Sequence, residues 1–215
     1  MMNTYVNRQT LLLGLGALLA CPAFAQDDIH HNNITVGIGA ATPAGNSTNY
    51  LVTAPLVTIG YGYRFNRLFQ ADAGFQFVFG AANNQNAEVT DFGTLQGGDH
   101  EYMIPLGGRI YIPQRFRRVE VSAGGGAAYL HYSETVSSNG GAYLPSCYSC
   151  TSRGGWGGYG LGDVSYFLDG NHTFKVGTTV QYIVGSTNGL SVGNVPANKT
   201  TDHWINISVE FGFSF

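Results

Sequence analysis

The sequence predicts an all-β fold, an eight-stranded antiparallel up-and-down transmembrane β-barrel. Apolar and polar side chains alternate over segments of about ten residues, which is the pattern expected of membrane-spanning strands. Short and long connectors alternate along the chain, as they do in an up-and-down barrel. Charged residues make up only 11% of the 215 residues, whereas the surface of a water-soluble protein usually carries more charge.

Residues 1–25 are predicted to be an export signal, and residues 26–215 a single barrel domain. Arg8 precedes the apolar stretch Leu11–Ala20, and Ala23-Phe24-Ala25 forms a small-x-small cleavage site. An alternative is a lipoprotein box over Leu18–Cys21, which would leave Cys21 as an acylated N-terminus. After residue 25 no apolar run reaches the roughly 18 residues that a transmembrane helix needs, so if the chain spans a membrane, it does so with strands.

The last predicted strand shows the alternation most clearly. Six apolar residues from Ile205 to Phe215 occupy one face, and polar or small residues occupy the other. The same period of two recurs upstream. The predicted strands are Ile34–Ala40, Val57–Tyr63, Phe69–Phe79, Tyr102–Ile110, Val119–Tyr129, Trp156–Phe167, Phe174–Tyr182 and His203–Phe215.

The connectors between these strands alternate in length. The predicted short turns are Arg64–Arg67, Pro113–Arg118 and Asp169–His172. The predicted long polar loops are Thr42–Thr53, Ala81–His100, Ser133–Gly155 and Gly185–Thr201. Short periplasmic turns and long extracellular loops are typical of outer-membrane barrels, so both termini are expected to face the periplasm.

From Ile34 to Phe215 the chain resembles the small eight-stranded outer-membrane barrels of the outer-membrane protein A, X and W and opacity-protein kind. The strand count, the export signal and the terminal apolar row carry the resemblance. It implies residence in the outer membrane of a Gram-negative bacterium, in contact with membrane lipid and lipopolysaccharide. It also implies that Phe211, Phe213 and Phe215 act as a signal for the barrel-assembly machinery.

Six charged residues are predicted to face the narrow barrel interior: Asp72, Arg109, Glu120, Asp163, Lys175 and Glu210. Arg109 and Glu120 lie nearly equidistant from one short turn, and Asp163 and Lys175 from another, so each pair should face across a hairpin. With Asp72 beside the first pair and Glu210 beside the second, we expect two acid-base-acid rows. Buried charges persist when they are paired, so the rows predict a lumen plugged by ion pairs.

His131-Tyr132-Ser133-Glu134 is the motif that suggests an enzyme. His131 and Ser133 are two apart on a strand and share a face, and a histidine can activate a hydroxyl nucleophile. The motif resembles the His-Tyr-Ser motif of the lipid A 3-O-deacylase barrels, which implies His131 and Ser133 as candidate catalytic residues. That family carries its motif near the C-terminus, whereas here it closes the fifth strand.

Cys147 and Cys150 are predicted to form a local disulfide in the third long loop, because an exported chain folds in an oxidising compartment. Their spacing also occurs in redox and half-zinc motifs. The second cysteine pair or the histidines that a zinc site needs are missing from the neighbouring sequence. We therefore predict no metal and no cofactor.

The sequence favours a non-enzymatic, monomeric barrel with a structural or surface-interaction role. Its long loops are rich in Asn, Thr, Ser, Gly and Tyr, which make adaptable contacts. A narrow channel for small solutes and a lipid A deacylase are the alternatives. The net charge of −3 gives no basic footprint of the kind that binds nucleic acid.

Overall fold

The computed structural model describes residues 29–81, 88–90, 93–113, 118–138, 147–189 and 199–215. The predicted export signal and its cleavage site lie outside these residues. Within the described residues no helix is long and apolar enough to cross a membrane. The strands are β1 (Asn32–Pro43), β2 (Ala54–Arg64), β3 (Phe69–Phe79), β4 (Glu88–Thr90), β5 (Gly93–Ile112), β6 (Val119–Ser138), β7 (Cys147–Phe167), β8 (Phe174–Gly189) and β9 (Lys199–Ser214).

Eight of these strands close into an antiparallel barrel, which confirms the predicted fold and strand number. The hydrogen-bonded order is β3-β2-β1-β9-β8-β7-β6-β5, and β3 also pairs with β5. The three-residue β4 adds only to β5. A 3-10 helix, Gly45–Asn49, lies between β1 and β2.

The two ends of the barrel differ. One end carries both Asn32 and Phe215, whose backbones hydrogen-bond to each other at 3.0 and 2.9 Å, together with the short connections after β2, β5 and β7. We call it the turn end. The opposite end carries the long connections after β1, β3, β6 and β8. We call it the loop end.

Every second side chain of each strand points away from the lumen. The side chains on this outward face are largely apolar. Large apolar side chains remain strongly exposed there, among them Ile38 at 70% and Trp156 at 61%. A water-soluble protein rarely exposes so large a continuous apolar surface. This band is therefore the surface that faces lipid.

Glycines on the inner face make room for larger neighbours. A Cβ on Gly185 would stand 2.5 Å from Leu130 Cδ1, so Leu130 can reach across the lumen only because Gly185 has no side chain. A Cβ on Gly37 would stand 2.7 Å from Glu210 Cγ. Small residues on some strands thus let long side chains from others fill a narrow barrel.

Several strands extend further toward the loop end than the sequence predicts, most of all β5, β6, β7 and β8. Residues 93–100, 133–138, 147–155 and 185–189, which the sequence places in loops, belong to these four strands. The sequence of these extensions has no continuous period-two apolar row, although the backbone ladder continues. β5, β6 and β7 reach 20, 20 and 21 residues, against 11 in β2 and β3.

Candidate functional site

The turn-end half of the lumen is filled by charged side chains, which we call the ionic layer: Arg64, Asp72, Arg109, Glu120, Asp163, Lys175 and Glu210. In its first ion pair, Arg109 Nε donates to Asp72 Oδ2 at 2.8 Å. Gln70 Nε2 donates to Asp72 Oδ1 at 2.6 Å. Both carboxylate oxygens of Asp72 are therefore hydrogen-bonded inside the barrel.

Glu120 is held by two bases that differ from its predicted partner. Arg64 Nη2 donates to Glu120 Oε1 at 2.6 Å, and Lys175 Nζ to Glu120 Oε2 at 3.2 Å. The strand register explains why Glu120 does not meet Arg109. Arg109 lies opposite Gly124 in β6, four residues further along the strand than Glu120. The rows drawn from the sequence thus place Asp72 with Arg109 correctly and assign Glu120 to the wrong base.

The remaining two acids of the ionic layer bind hydroxyl groups. Asp163 accepts hydrogen bonds from Ser122, Ser165 and Thr179 at 3.4, 3.5 and 3.2 Å. Glu210 accepts one from Ser208 at 3.0 Å. All six residues predicted for the interior line it, but Asp163 and Glu210 do not form the predicted row with Lys175.

Arg64 is a cation of the ionic layer that the sequence does not place in the lumen, because its position predicts a turn. It is the last residue of β2, and its guanidinium lies over the ring of Tyr111 at 3.7 Å from the centroid. Strand parity could have found it. Tyr63 points outward with 41% exposure, so the next side chain points inward.

A small cavity of about 50 Å³, lined by both polar and apolar groups, lies beside Asp72 and Arg109. Its walls include Gln76, Thr58 and Tyr159. The Thr58 hydroxyl is buried and has no hydrogen-bond partner among the described residues. A cavity of this size has room for a few ordered waters, but not for an organic solute.

The loop-end half of the lumen holds a second layer of side chains that is apolar, which we call the apolar seal: Ala41, Leu51, Ala54, Leu56, Val78, Ala81, Met103, Ala128, Leu130, Ile183 and Trp204. Each of these residues is at most 2% exposed. Ten of them lie on or beside the wall, and Leu51 reaches in from the segment after the 3-10 helix. The sequence analysis did not identify this layer, because it treated inward positions as polar.

A polar cluster lies directly above the apolar seal. Trp204 Nε1 donates to Glu101 Oε1 at 3.1 Å, and Tyr50 and Thr187 donate to the two oxygens of Asp202 at 2.6 and 2.7 Å. Arg153 donates to Asp202 at 3.3 Å. Burial, reinforced by the hydrogen bond to Asp202, raises the pKa of Tyr50. These contacts tie β9 to the loop before β2.

His131 and Ser133 lie near the loop end of β6. The imidazole of His131 stacks on Tyr102 at a centroid distance of 4.6 Å and lies near Tyr129 at 6.5 Å. Ser133 is only 4% exposed. Among the described residues no group of three or more His, Cys, Asp or Glu side chains could hold a metal ion.

The predicted disulfide falls on residues whose side chains lie outside the described part of the structure. The backbone from Cys147 to Cys150 belongs to β7 rather than to a loop. The disulfide between Cys147 and Cys150 therefore stays a prediction.

Comparisons with known proteins agree with this architecture. A family model described as the outer membrane protein beta-barrel domain matches residues 11–215. Among solved structures the chain is similar to Neisserial surface protein A (NspA), with 12% identity, 86% of this chain and 97% of that chain covered, and a TM-score of 0.53. A major outer membrane protein from Thermus thermophilus gives 10% identity, coverage of 86% and 100%, and a TM-score of 0.52.

The attachment invasion locus protein Ail of Yersinia pestis gives 12% identity, coverage of 86% and 100%, and a TM-score of 0.47. Comparison with curated proteins gave no match. At these identities the similar structures show the fold alone. The family match spans nearly the whole chain, and with the closed eight-stranded barrel it shows that the chain belongs to the outer membrane protein beta-barrel family and resides in the outer membrane.

Proposed function

We propose that this protein is a non-enzymatic outer-membrane barrel with a structural or surface-interaction role and a lumen closed to solutes. The observation that supports the proposal is that two layers of side chains, one charged and one apolar, follow each other along the lumen. The ionic layer fills the turn-end half of the lumen and the apolar seal fills the loop-end half. A solute would have to displace both.

The two closures resist opening for different reasons. Separating Arg109 from Asp72 or Lys175 from Glu120 would leave buried charges unpaired, which costs several kcal/mol. Opening the apolar seal would expose large side chains such as Trp204 and Leu130, at about 25 cal/mol for each Å² of apolar surface. Neither closure can be opened by a small rotation of one side chain.

We place the turn end in the periplasm and the loop end outside the cell. A strand needs only about 9–11 residues to cross the membrane, so β5, β6 and β7 have roughly ten residues more than spanning requires. The extended part of these three strands would project from the outer surface of the membrane. Its position supports contact with extracellular partners, for which the amide, hydroxyl and aromatic residues in the sequence of the long connections are suited.

The aromatic side chains at the end of β9 support the proposal that the barrel-assembly machinery recognises this strand. Phe211, Phe213 and Phe215 lie on the outward face with exposures of 50%, 38% and 50%. Phe213 stacks on Phe215 at a centroid distance of 5.4 Å. These rings would contact membrane lipid after insertion, and they are free of the lumen contacts that fold the barrel. We infer that they act as an assembly signal.

The burial of Ser133 argues against the deacylase alternative. A catalytic nucleophile must be reached by the ester that it attacks, whereas Ser133 is 4% exposed. Mass spectrometry of lipid A from outer membranes that contain this protein tests the point, with His131→Ala at equal abundance as the control. We expect the same acyl chains in both samples. Loss of one ester-linked chain with the wild type alone would make the protein an enzyme.

Conductance tests the closed lumen. The wild-type protein, refolded and checked by its heat-modifiable migration in detergent gels, is inserted into planar lipid bilayers. We expect no discrete current steps above those of the protein-free bilayer. Regular steps would instead identify the protein as a narrow channel.

A further inference from the structure

On the outward face of β5, β6 and β7, the lipid-facing band ends toward the loop end in a group of imidazole and aromatic side chains. We call this group the histidine patch: His100, Tyr102, Tyr129, His131 and Trp156. On β5 the outward residues near the turn end are aliphatic, for example Ile112 and Ile110, which are 49% and 53% exposed. Toward the loop end they change to Tyr102 and then to His100. The row thus passes from apolar to amphipathic to ionisable groups.

The height of the histidine patch can be estimated from strand geometry. The strand covers about 40 Å from Ile112 to His100, at about 3.4 Å per residue. At a tilt of about 40°, this corresponds to about 30 Å along the membrane normal, whereas the apolar band of outer-membrane barrels is about 25 Å tall. His100 and its diagonal neighbour His131 therefore lie at the level of the lipid headgroups.

Ring stacking fixes the two imidazoles. His100 stacks on Phe77 at a centroid distance of 5.8 Å, and His131 on Tyr102 at 4.6 Å with 21° between the planes. Gly154 of the neighbouring strand leaves space beside His131, because a Cβ there would stand 3.3 Å from His131 Nδ1. The ring contacts thus hold the imidazole planes in place. Stacking covers the faces of the two rings and leaves the edges, which carry the nitrogen atoms, for hydrogen bonds.

We propose that the histidine patch binds the phosphorylated headgroup of an outer-leaflet glycolipid. This inference rests on the proposed orientation, which places the loop end in the outer leaflet. The imidazole nitrogens can donate hydrogen bonds to phosphate oxygens, and Tyr129 and Trp156, packed edge to face at 5.3 Å, provide ring surface for the attached sugars. Aspartate and glutamate side chains of the same stretch, Asp99, Glu101 and Glu134, belong to the opposite, lumen-facing set.

A headgroup-binding role gives His131 a function that does not depend on the buried Ser133, its neighbour in the motif that resembles a catalytic pair. A histidine at a lipid boundary serves equally well as a headgroup ligand. Its role then requires His100 as a neighbour and does not require an accessible Ser133. The candidate active site becomes half of a lipid-binding site.

The test compares vesicles of lipopolysaccharide with vesicles of the same material after removal of the lipid A phosphates. The readout is the temperature at which the folded, faster-migrating gel band disappears. We expect the wild type to unfold roughly 2–4 °C higher in the phosphorylated vesicles, as about 1 kcal/mol would produce. The double variant His100→Phe with His131→Phe keeps the rings and should lose this difference, while His30→Phe at the turn end should keep it.

An equal difference in the double variant would overturn the proposal, and so would an equal effect of added inorganic phosphate on the wild type. A second measurement needs no variant: the imidazole nitrogen resonances of His100 and His131 should shift on addition of lipid A and stay unchanged with its dephosphorylated form. Unchanged resonances in both cases would also overturn it. Bilayer conductance of the same samples reports separately on the closed lumen.

Discussion

The ionic layer and the apolar seal fill opposite halves of one lumen. The side chains of the ionic layer are the more solvent-exposed of the two. The side chains of Arg64, Arg109 and Asp72 are 19%, 12% and 10% exposed. Val78, Leu130 and Trp204 of the seal are 0% exposed. The charged side chains of the ionic layer therefore keep partial exposure, whereas these side chains of the apolar seal have none. The more fully buried of the two layers lies toward the loop end.

The largest effect is expected from truncating the apolar seal at Trp204. Replacement of a fully buried tryptophan by alanine costs about 3–5 kcal/mol, and Trp204→Ala also removes the N–H that binds Glu101. Urea unfolding in lipid vesicles measures the loss. Trp204→Phe, which keeps most of the volume but not the N–H, separates the two contributions. A loss below about 1 kcal/mol for Trp204→Ala would show that the layer is loosely packed.

A somewhat smaller effect is expected from Arg109→Ala in the ionic layer. Asp72 would keep the hydrogen bond from Gln70 but lose its charged partner. Removing one member of a fully buried ion pair costs about 3–5 kcal/mol of folding free energy. Because Arg109 and Asp72 are both partly exposed, we expect a smaller loss of about 2–3 kcal/mol. Arg109→Met tests whether the loss is due to charge or to packing. If Arg109→Ala unfolds at the wild-type urea concentration, the pair does not stabilise the barrel.

Lys175→Met should cost less than Arg109→Ala, because Glu120 has two bases and Asp72 has one. Arg64 remains bonded to Glu120 at 2.6 Å after the change. We expect a loss of about 1–2 kcal/mol, the scale of one hydrogen bond to a charged group. The double variant Lys175→Met with Glu120→Gln gives the coupling between the two side chains. A loss as large as that of Arg109→Ala would mean that Arg64 does not compensate.

The smallest effect is expected at Asp169, an exposed carboxylate at the turn end that serves as a control for the buried ones. Backbone hydrogen bonds, first from Phe174 and also from Thr173, lower the pKa of Asp169. Its stabilising contribution is therefore present above the unfolded-state value of about 3.9 and is lost as the pH falls through the lower folded-state pKa. Asp169→Ala should be destabilised relative to the wild type at pH 7 and converge with it near pH 2.

A difference between wild type and Asp169→Ala that persisted undiminished at pH 2 would show that the turn depends on packing rather than on the carboxylate charge. Asp169→Asn is the matched control. It keeps a side-chain oxygen for the N–H groups of Thr173 and Phe174 but has no charge. At pH 7 it should therefore lose less stability than Asp169→Ala, and the difference in stability between these two uncharged variants should not depend on pH in this range.

The lipid-facing half of the fold was predictable because lipid selects one kind of side chain on every second position. The predicted bounds of the third strand, Phe69–Phe79, coincide with those of β3. The loop-end extensions of β5, β6 and β7 carry no such periodic signal in the sequence. Strand length beyond the bilayer depends on hydrogen bonding between neighbours, which a single sequence does not display.

The lumen was predictable only in part, because register across long loops decides which charges meet. Asp72 and Arg109 were assigned to one row, and they meet. Glu120 was assigned to Arg109, and it meets Arg64 and Lys175 instead. The apolar seal did leave a signal in the sequence, since Leu56-Val57 and Phe77-Val78-Phe79 are apolar on both faces of their strands.

Single-channel recording on four proteins tests the central claim, that two closures act in series. The proteins are the wild type, Arg109→Ala, a seal variant carrying Leu130→Ala and Trp204→Ala, and the combination of all three changes, each verified as a folded barrel by heat-modifiable migration. The account predicts current steps only in the combined variant, because each single opening leaves the other closure in place. Steps in the wild type, or in Arg109→Ala alone, would contradict it.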